Sequence, residues 1–272
     1  MSLIWVNGQP QTTVSVVDRG LAYGDGLFET IRVQQGQMPL LALHCARLEA
    51  GCQRLLIPLD LALVQAELRA FAQTLQMGVI KLMVTRGDGM RGYAPPEPSS
   101  PRRIVQSANL PQYPAEHAER GVSLFACQTR LALQPALAGL KHLNRLEQVL
   151  ARSEWRDPQY AEGLMRDSDG WVIEGVFSNL FIVRDGCLYT PELNQCGVAG
   201  IMRQALLSQA PQRGLTVKVA PISYDALLAA DEVLLCNSLY GVWPVRTLCD
   251  RTWPVGPVTR KLQALAQELM VV

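Results

Sequence analysis

Residues 139–147 read Gly-Leu-Lys-His-Leu-Asn-Arg-Leu-Glu, and the pattern predicts a helix over about 140–155 with Lys141 close to its start. A cation at a helix N-terminus opposes the helix dipole, by roughly 0.3–1 kcal/mol when exposed. A lysine whose charged form is disfavoured has a lowered pKa and becomes a usable nucleophile, as Schiff-base lysines require. The stretch therefore indicates a candidate catalytic lysine, although a solvated surface lysine explains it as well.

Glu174 lies in the stretch Trp171-Val-Ile-Glu-Gly-Val-Phe177, which is apolar on both faces and predicts a buried strand. A buried carboxylate is costly unless it is paired. A protonated pyridine nitrogen of a cofactor would be one partner, and a neighbouring cation in a purely structural pair would be another. Ser178 and Asn179 follow directly, and local turn bonding explains them almost as well as a role in binding does.

Three further features are typical of a site for an anion. The run Gly197-Val-Ala-Gly-Ile-Met-Arg203 predicts a glycine turn that presents backbone N–H groups at a helix N-terminus. Ser238, with Asn237 before it at the end of a buried strand, can add donors to the same anion, and Arg47 can add a bidentate charge. A simple turn and a snorkelling surface arginine are the alternatives.

A long loop is predicted over 86–101, a segment that is dense in Gly, Pro and Ser. Such loops usually carry function rather than core packing. Arg91 and Tyr93 lie within it. An arginine close to a tyrosine on a loop suits recognition of a substrate carboxylate.

The pattern of the whole chain predicts a mixed α/β (α+β) protein in two domains. We expect a small N-terminal α/β domain over 1–108, a linker over 109–119, and a C-terminal domain over 120–272. A glycine turn is predicted over 20–26. Strands are predicted over 3–6, 13–17, 27–33, 79–85, 104–107, 122–129, 217–219, 232–236 and 242–245, with a strand meander over 162–190. Helices are predicted over 43–56, 61–75, 140–155, from 201 onward and over 258–270.

The amino-acid composition excludes several classes of function and location. The 25 Lys and Arg residues nearly balance the 24 Asp and Glu residues, so we expect a small-molecule substrate and no nucleic-acid partner. No signal-peptide pattern and no run of 18 apolar residues is present, which favours a cytoplasmic protein without a membrane partner. The seven cysteines are scattered and the three histidines lack ligand spacing, so we expect reduced thiols and no metal.

In combination and order, these features resemble the fold type IV family of pyridoxal-phosphate enzymes. The family includes branched-chain aminotransferases, D-amino-acid aminotransferases and 4-amino-4-deoxychorismate lyases. The resemblance covers nearly the whole chain. It rests on Asp18-Arg-Gly-Leu-Ala-Tyr-Gly-Asp-Gly-Leu-Phe-Glu-Thr30, His44-x-x-Arg47-Leu48, the Lys141 stretch, Glu174 with Asn179-Leu-Phe, and Gly197-Val-x-Gly-Ile-Met-Arg203.

The resemblance implies a fold in which the larger C-terminal domain contains a barrel-like sheet. It implies pyridoxal 5'-phosphate as the cofactor, bound to Lys141 as an imine and held at its pyridine nitrogen by Glu174. The residues that would complete the cofactor site are Arg47, Asn179, Gly200 and Ile201 through their N–H groups, and Ser238. The residues that would bind substrate are Thr30, Arg91 and Tyr93. Members of the family are typically homodimers with loops that reach across the interface.

Within the family, the chain is most similar to the lyases. Lys141-His-Leu-Asn-Arg-Leu-Glu-Gln-Val-Leu150 and Gly89-Met-Arg-Gly-Tyr93 resemble them closely. D-amino-acid aminotransferases typically have Tyr where Phe28 stands and Arg-x-His where Arg91 to Tyr93 stand, and branched-chain aminotransferases usually have Gly where Thr30 stands. The resemblance therefore implies conversion of 4-amino-4-deoxychorismate to 4-aminobenzoate and pyruvate, in folate biosynthesis. A D-amino-acid or branched-chain aminotransferase is the alternative, and a non-catalytic cofactor-binding regulator is the alternative from another class.

Overall fold

The computed structural model describes residues 3–271 and divides them into two compact units. The first unit contains residues 3–111 and 140–144, and the second contains residues 112–139 and 145–271. The short return of the chain to the first unit at 140–144 carries Lys141. The predicted division into domains joined by a linker over 109–119 stays a prediction. No helix within residues 3–271 is long and apolar enough to cross a membrane.

One antiparallel sheet organises the first unit. Its strands are β1 (Ile4–Val6), β2 (Gln9–Pro10), β3 (Gly26–Gln34), β4 (Met77–Thr85) and β5 (Arg102–Ala108). They pair in the order β2-β1-β5-β4-β3. Along β3 the buried side chains alternate, at Leu27, Glu29, Ile31 and Val33, as the two-residue period of a strand requires. Phe28 and Thr30 therefore lie on the opposite face of β3.

Three helices complete the first unit: α1 (Arg19–Tyr23), α2 (Leu41–Arg54) and α3 (Leu61–Leu75). α3 occupies its predicted range, because Asp60 caps it by accepting the N–H of Leu63. α1 overlaps the predicted glycine turn over 20–26. It forms because Asp18 caps its start, and it ends at Gly24, whose φ of 65° favours glycine.

The strand predicted over 13–17 is wrong. The β-branched residues of Thr13-Val-Ser-Val-Val17 favour β-structure, yet none of them pairs with a strand, and Val16 is 84% exposed. Strand propensity carries little weight without a neighbouring strand to pack against. The segment is fixed by a loop contact, in which the Gly89 N–H donates to the carbonyl of Val17 at 3.1 Å.

A closed six-stranded barrel forms the second unit. The strands of this unit are β6 (Val122–Leu131), β7 (Tyr160–Asp167), β8 (Val172–Gly175), β9 (Asn179–Arg184), β10 (Cys187–Thr190), β11 (Val217–Val219), β12 (Glu232–Asn237), β13 (Gly241–Leu248) and β14 (Arg251–Thr252). The barrel order is β9-β12-β13-β6-β7-β8, and it closes because β8 pairs back to β9. β10 and β11 extend the sheet beside β9, and β14 pairs with β13. The expected barrel-like sheet is confirmed.

The helices of the second unit are α4 (Glu116–Glu119), α5 (Leu146–Ser153), α6 (Ile201–Gln209), α7 (Tyr224–Leu228) and α8 (Pro257–Met270), with a 3-10 turn at Ala210–Arg213. The helix predicted over 140–155 begins only at Leu146. Residues 141–143 instead form an isolated antiparallel bridge to β3, in which the Phe28 N–H donates to the Lys141 carbonyl at 2.9 Å and the Leu143 N–H to the Gly26 carbonyl at 3.0 Å. Lys141 therefore lies outside the helix, and the prediction that it stands at a helix N-terminus is wrong.

Glu162 on β7 is a completely buried carboxylate. Its oxygens accept the N–H groups of Gly163 at 2.8 Å, Val176 at 3.0 Å and Phe177 at 3.2 Å, and the hydroxyl of Ser178 at 2.5 Å. Loss of solvation raises the pKa of Glu162 to about 7, because these neutral donors compensate it only in part. Glu162 thus fixes the loop between β8 and β9 and is partly protonated at neutral pH.

We expect Glu162 to make folding less favourable as the pH rises from about 4.5 to about 7. Over this range the folded state keeps the proton that the unfolded state releases, so the free energy of unfolding falls with rising pH. The variant Glu162→Gln cannot ionise and should lack this contribution. Urea unfolding at about pH 5 and about pH 8 measures it. The unfolding free energy of the wild type relative to the variant should be smaller at the higher pH, and an unchanged difference would contradict the raised pKa.

Candidate active site

The β3 pairing holds the backbone of Lys141 in place. The Lys141 Nζ lies 4.4 Å from the centroid of the Phe28 ring, close enough for a cation–π contact. The charge of Lys141 also disfavours protonation of His44. Lys141 is half-buried. Its amine therefore has a defined position beside β3, although no helix dipole acts on it.

Arg47 belongs to a buried network that centres on Glu29. Its Nε donates to Glu29 Oε1 at 2.7 Å and its Nη2 to Glu29 Oε2 at 2.5 Å, while the His44 Nδ1 lies 2.6 Å from Oε2. Burial alone would raise the pKa of Glu29, but Arg47 and His44 hold it at about 2. Burial lowers the pKa of His44, so His44 is neutral and donates through Nδ1 to the ionised Glu29.

The network fixes the plane of the Arg47 guanidinium by a bidentate contact. Arg47 is predicted from the sequence as a phosphate ligand, but Glu29 is not among the predicted site residues. The signal that could have found it is the alternation along β3, which places a carboxylate at a buried position between Leu27 and Ile31.

The three residues predicted to bind substrate lie in the first unit. Thr30 is on β3, on the same face as Phe28. Arg91 and Tyr93 lie on the loop between β4 and β5, and both side chains are exposed, Tyr93 by 87%. The Tyr93 ring packs at 5.5 Å from the ring of Tyr23. Within one chain, the two loop residues are thus presented to solvent.

Glu174 and Asn179 are buried neighbours on β8 and β9, where they face each other across the ladder. Glu174 Oε2 accepts the N–H of Val198 at 2.9 Å. The Asn179 side chain donates to the Val198 carbonyl at 2.8 Å and accepts the Gly200 N–H at 3.0 Å. The two side chains therefore hold the turn that leads into α6.

The start of α6 presents free backbone N–H groups, but the N–H of Gly200, which was predicted to be one of them, already has a partner. The Gly200 N–H donates to Asn179 Oδ1 at 3.0 Å, and its predicted role in binding a phosphate stays a prediction. The next two N–H groups, at Ile201 and Met202, have no partner within residues 3–271 because they belong to the first turn of the helix. Arg203 anchors this helix start, donating to Thr190 Oγ1 at 3.0 Å and to the Pro191 carbonyl at 2.8 Å. Met202 is not among the site residues predicted from the sequence.

Ser238 lies in the turn between β12 and β13. The neighbouring Asn237 fixes this turn, because its Oδ1 accepts the N–H groups of Leu239 at 2.9 Å and Tyr240 at 3.0 Å.

Another residue that was not predicted from the sequence is Arg145. Burial lowers the pKa of Arg145, and the charge of Glu174 opposes that shift. Arg145 is therefore a cation next to Glu174. It is the kind of partner that Glu174 would need in a purely structural ion pair.

The donors within each unit suit parts of a phosphorylated pyridine aldehyde. Within the second unit, the helix-start N–H groups suit a phosphate and the Glu174 carboxylate suits a ring nitrogen. Within the first unit, the Lys141 amine suits an aldehyde. Gly200 keeps the turn compact, since a Cβ there would lie 2.0 Å from Asn179 Oδ1. Within residues 3–271 no group of three His, Cys, Asp or Glu side chains could hold a metal, and all seven cysteines are free thiols.

Known proteins share this architecture over its whole length. The chain is 40% identical over 266 residues to aminodeoxychorismate lyase of Vibrio harveyi, which covers 96% of this chain and 98% of that protein. It is 30% identical over 276 residues to D-alanine aminotransferase of Staphylococcus aureus, covering 97% and 96%. A crystal structure of 4-amino-4-deoxychorismate lyase from Pseudomonas aeruginosa matches with a TM-score of 0.97 and 58% identity, over 99% of this chain and 100% of that one.

Residues 26–248 match the family described as amino-transferase class IV. The matched range contains Lys141, Glu174 and the glycine turn before α6, so it includes the candidate residues of both units. The chain belongs to the class IV aminotransferase family.

Proposed function

We propose that the protein is a pyridoxal-phosphate-dependent carbon–oxygen lyase that converts 4-amino-4-deoxychorismate to 4-aminobenzoate and pyruvate, in folate biosynthesis. The observation that carries this proposal is the full-length similarity to the Pseudomonas aeruginosa lyase, at 58% identity and a TM-score of 0.97. The 40% identical lyase of Vibrio harveyi supports the same activity.

Lys141 would hold pyridoxal phosphate through the covalent link, and Glu174 would pair with its pyridine nitrogen. The N–H groups of Ile201 and Met202 would bind the phosphate, with Arg47 and Ser238 as further ligands. Asn179 acts by holding the turn at Gly200, since its amide already bonds to that turn. When bound, pyridoxal phosphate supplies an electron sink for the electron pair left by removal of a proton from the substrate.

The chain's own residues handle the protons. Once the substrate amine has displaced it from the covalent link, Lys141 Nζ is free to accept the proton from the substrate carbon that carries the amine. The carbon–oxygen bond to the enolpyruvyl group on the adjacent carbon then breaks, and the ring becomes aromatic. The proton on Lys141 Nζ, or one from water, passes to the departing enolpyruvate, which becomes pyruvate. Because the proton and the electron pair both end in the two products, no second substrate is needed.

Substrate recognition is proposed for Thr30 on β3 and for Arg91 and Tyr93 on the loop. The substrate carries a carboxylate, which the planar guanidinium of an arginine binds well.

Because Arg91 and Tyr93 are exposed within one chain, we propose that they act in a homodimer. α5 supports this assembly, since it exposes Leu146, Val149 and Leu150 by 76%, 57% and 60% on adjacent turns. We also propose a cytoplasmic location, as the sequence composition favours.

An aminotransferase activity is the second candidate function. The 30% identity to D-alanine aminotransferase of Staphylococcus aureus over nearly the whole chain favours it. An aminotransferase needs a keto acid as a second substrate, and a lyase does not. This difference separates the two functions in one assay.

We expect the purified holoenzyme to release 4-aminobenzoate and pyruvate in equal amounts from 4-amino-4-deoxychorismate alone. Product formation is followed by chromatography with no keto acid present. A reaction that starts only after a keto acid is added would favour the aminotransferase. Absence of both products under either condition would contradict the proposed lyase.

Borohydride should attach the cofactor irreversibly to Lys141. Reduction converts the carbon–nitrogen double bond of the covalent link to a stable single bond, and peptide mapping by mass spectrometry then locates the label. Lys81 serves as an internal control, because its Nζ lies 5.4 Å from the same Phe28 ring. A label on Lys81 or any other lysine would overturn the assignment of Lys141.

Glu174→Gln should keep bound cofactor yet slow turnover at least about tenfold, which corresponds to roughly 1.4 kcal/mol of transition-state stabilisation. The neutral amide keeps the shape of Glu174 but cannot hold a proton on the pyridine nitrogen. Glu232→Gln is the matched control, because Glu232 is also buried in the second unit and accepts backbone N–H groups, at Val258 and Thr259. Steady-state kinetics and cofactor absorbance are measured for both. Near-normal turnover in Glu174→Gln would contradict the pyridine-nitrogen role.

A further inference from the structure

The Asp18–Thr30 motif contains an arginine that the proposed chemistry does not use. Arg19, the first residue of α1, is only 4% exposed. Its Nε donates to Asp25 Oδ2 at 2.9 Å. The rest of its guanidinium donates to three consecutive carbonyls of the long loop, those of Gly92 at 3.0 Å, Tyr93 at 2.9 Å and Ala94 at 3.3 Å. One buried side chain thus bonds to the loop backbone immediately after Arg91.

The loop backbone also lies directly on Arg19. A Cβ at Gly89 would lie 2.7 Å from Arg19 Cδ, so only a glycine allows this approach without a shift. The Gly92 N–H donates to the hydroxyl of Tyr23 at 3.3 Å, and the Tyr23 ring packs 4.9 Å from the Arg19 guanidinium carbon. Residues 89–94 are therefore fixed at both sides of Arg91, while the Arg91 side chain stays exposed.

Asp25 orients the Arg19 guanidinium. It also pairs with Arg86, whose Nε lies 2.8 Å from the same carboxylate oxygen. Burial tends to raise the pKa of Asp25, but hydrogen bonds and charge from Arg86 and Arg19 outweigh it and lower that pKa below its usual value. Asp25 is therefore ionised and neutralises buried positive charge. A planar guanidinium is needed here, since a lysine ammonium cannot reach one carboxylate and three carbonyls together.

We propose that Arg19 is a positioning residue that fixes the backbone of residues 89–94 and so presents Arg91 to a carboxylate-bearing substrate. The proposal rests on the proposed function for the role of Arg91. It assigns Arg19 no contact with substrate. The interaction lowers the entropy cost of substrate binding, because the loop is ordered before the substrate arrives.

The test compares Arg19→Lys with Arg103→Lys, both as holoenzymes. Arg103 is a matched control in the same unit, because it makes a bidentate pair with Glu67 at 2.9 and 2.8 Å away from the loop residues 89–94. Hydrogen exchange measures protection of the Gly89 and Gly92 amides, which bond to Val17 and Tyr23. Steady-state kinetics separates KM from kcat.

In Arg19→Lys we expect the two loop amides to exchange about tenfold faster, in keeping with the loss of charge-assisted hydrogen bonds. The KM for 4-amino-4-deoxychorismate should rise about tenfold with little change in kcat, and cofactor absorbance should be retained. Arg103→Lys should change none of these. Unchanged loop exchange in a folded Arg19→Lys enzyme would overturn the proposal, and so would faster exchange with an unchanged KM. If the wild type itself shows no lyase activity, the proposed function fails, while the exchange measurement still decides whether Arg19 holds the loop.

Discussion

The main-chain pairing of residues 141–143 with β3 is the constraint on which the position of Lys141 depends. A residue on a paired strand has its Cα and Cβ fixed, so only side-chain rotation remains, and the Phe28 ring occupies one side of the amine. The next residue on β3, Glu29, points to the other face and holds Arg47. One strand therefore fixes both the Lys141 amine and the Arg47 guanidinium, and the cost of ordering them is met during folding rather than during binding.

Two buried glutamates show how their surroundings decide the charge of a carboxylate. Glu29 and Glu162 are both removed from water, yet the pKa of Glu29 is about 2 and that of Glu162 about 7. Glu29 faces the cation Arg47 and the donor His44, whereas the donors to Glu162 are amides and a hydroxyl. Hydrogen bonds from neutral groups satisfy the oxygens without cancelling the cost of the charge. Glu29 is therefore a permanent anion, whereas Glu162 holds the loop between β8 and β9 in either its neutral or its ionised form.

Sequence pattern predicted the elements whose signals are local. The range of α3 followed from its apolar period, and β11 forms at the three residues where a strand was predicted. The helix start at 140 was misplaced, because the partner of residues 141–143 is a strand far away in the chain. Motif resemblance named the candidate site residues, but their contacts depend on tertiary structure. Thus Gly200 was assigned a free N–H, although the amide of Asn179, brought alongside by β9, already occupies it.

The division of the chain at 140–144 has a consequence for how such a protein can evolve. The segment with Lys141 belongs to the first unit, although both of its flanks belong to the second. A single recombination event near residue 111 would replace the part of the first unit that precedes this point. The segment with Lys141 would still come from the original protein. The strand-pairing positions at Gly26 and Phe28 would then have to suit a segment that had evolved with another partner. The two units are therefore expected to be inherited together rather than shuffled as modules.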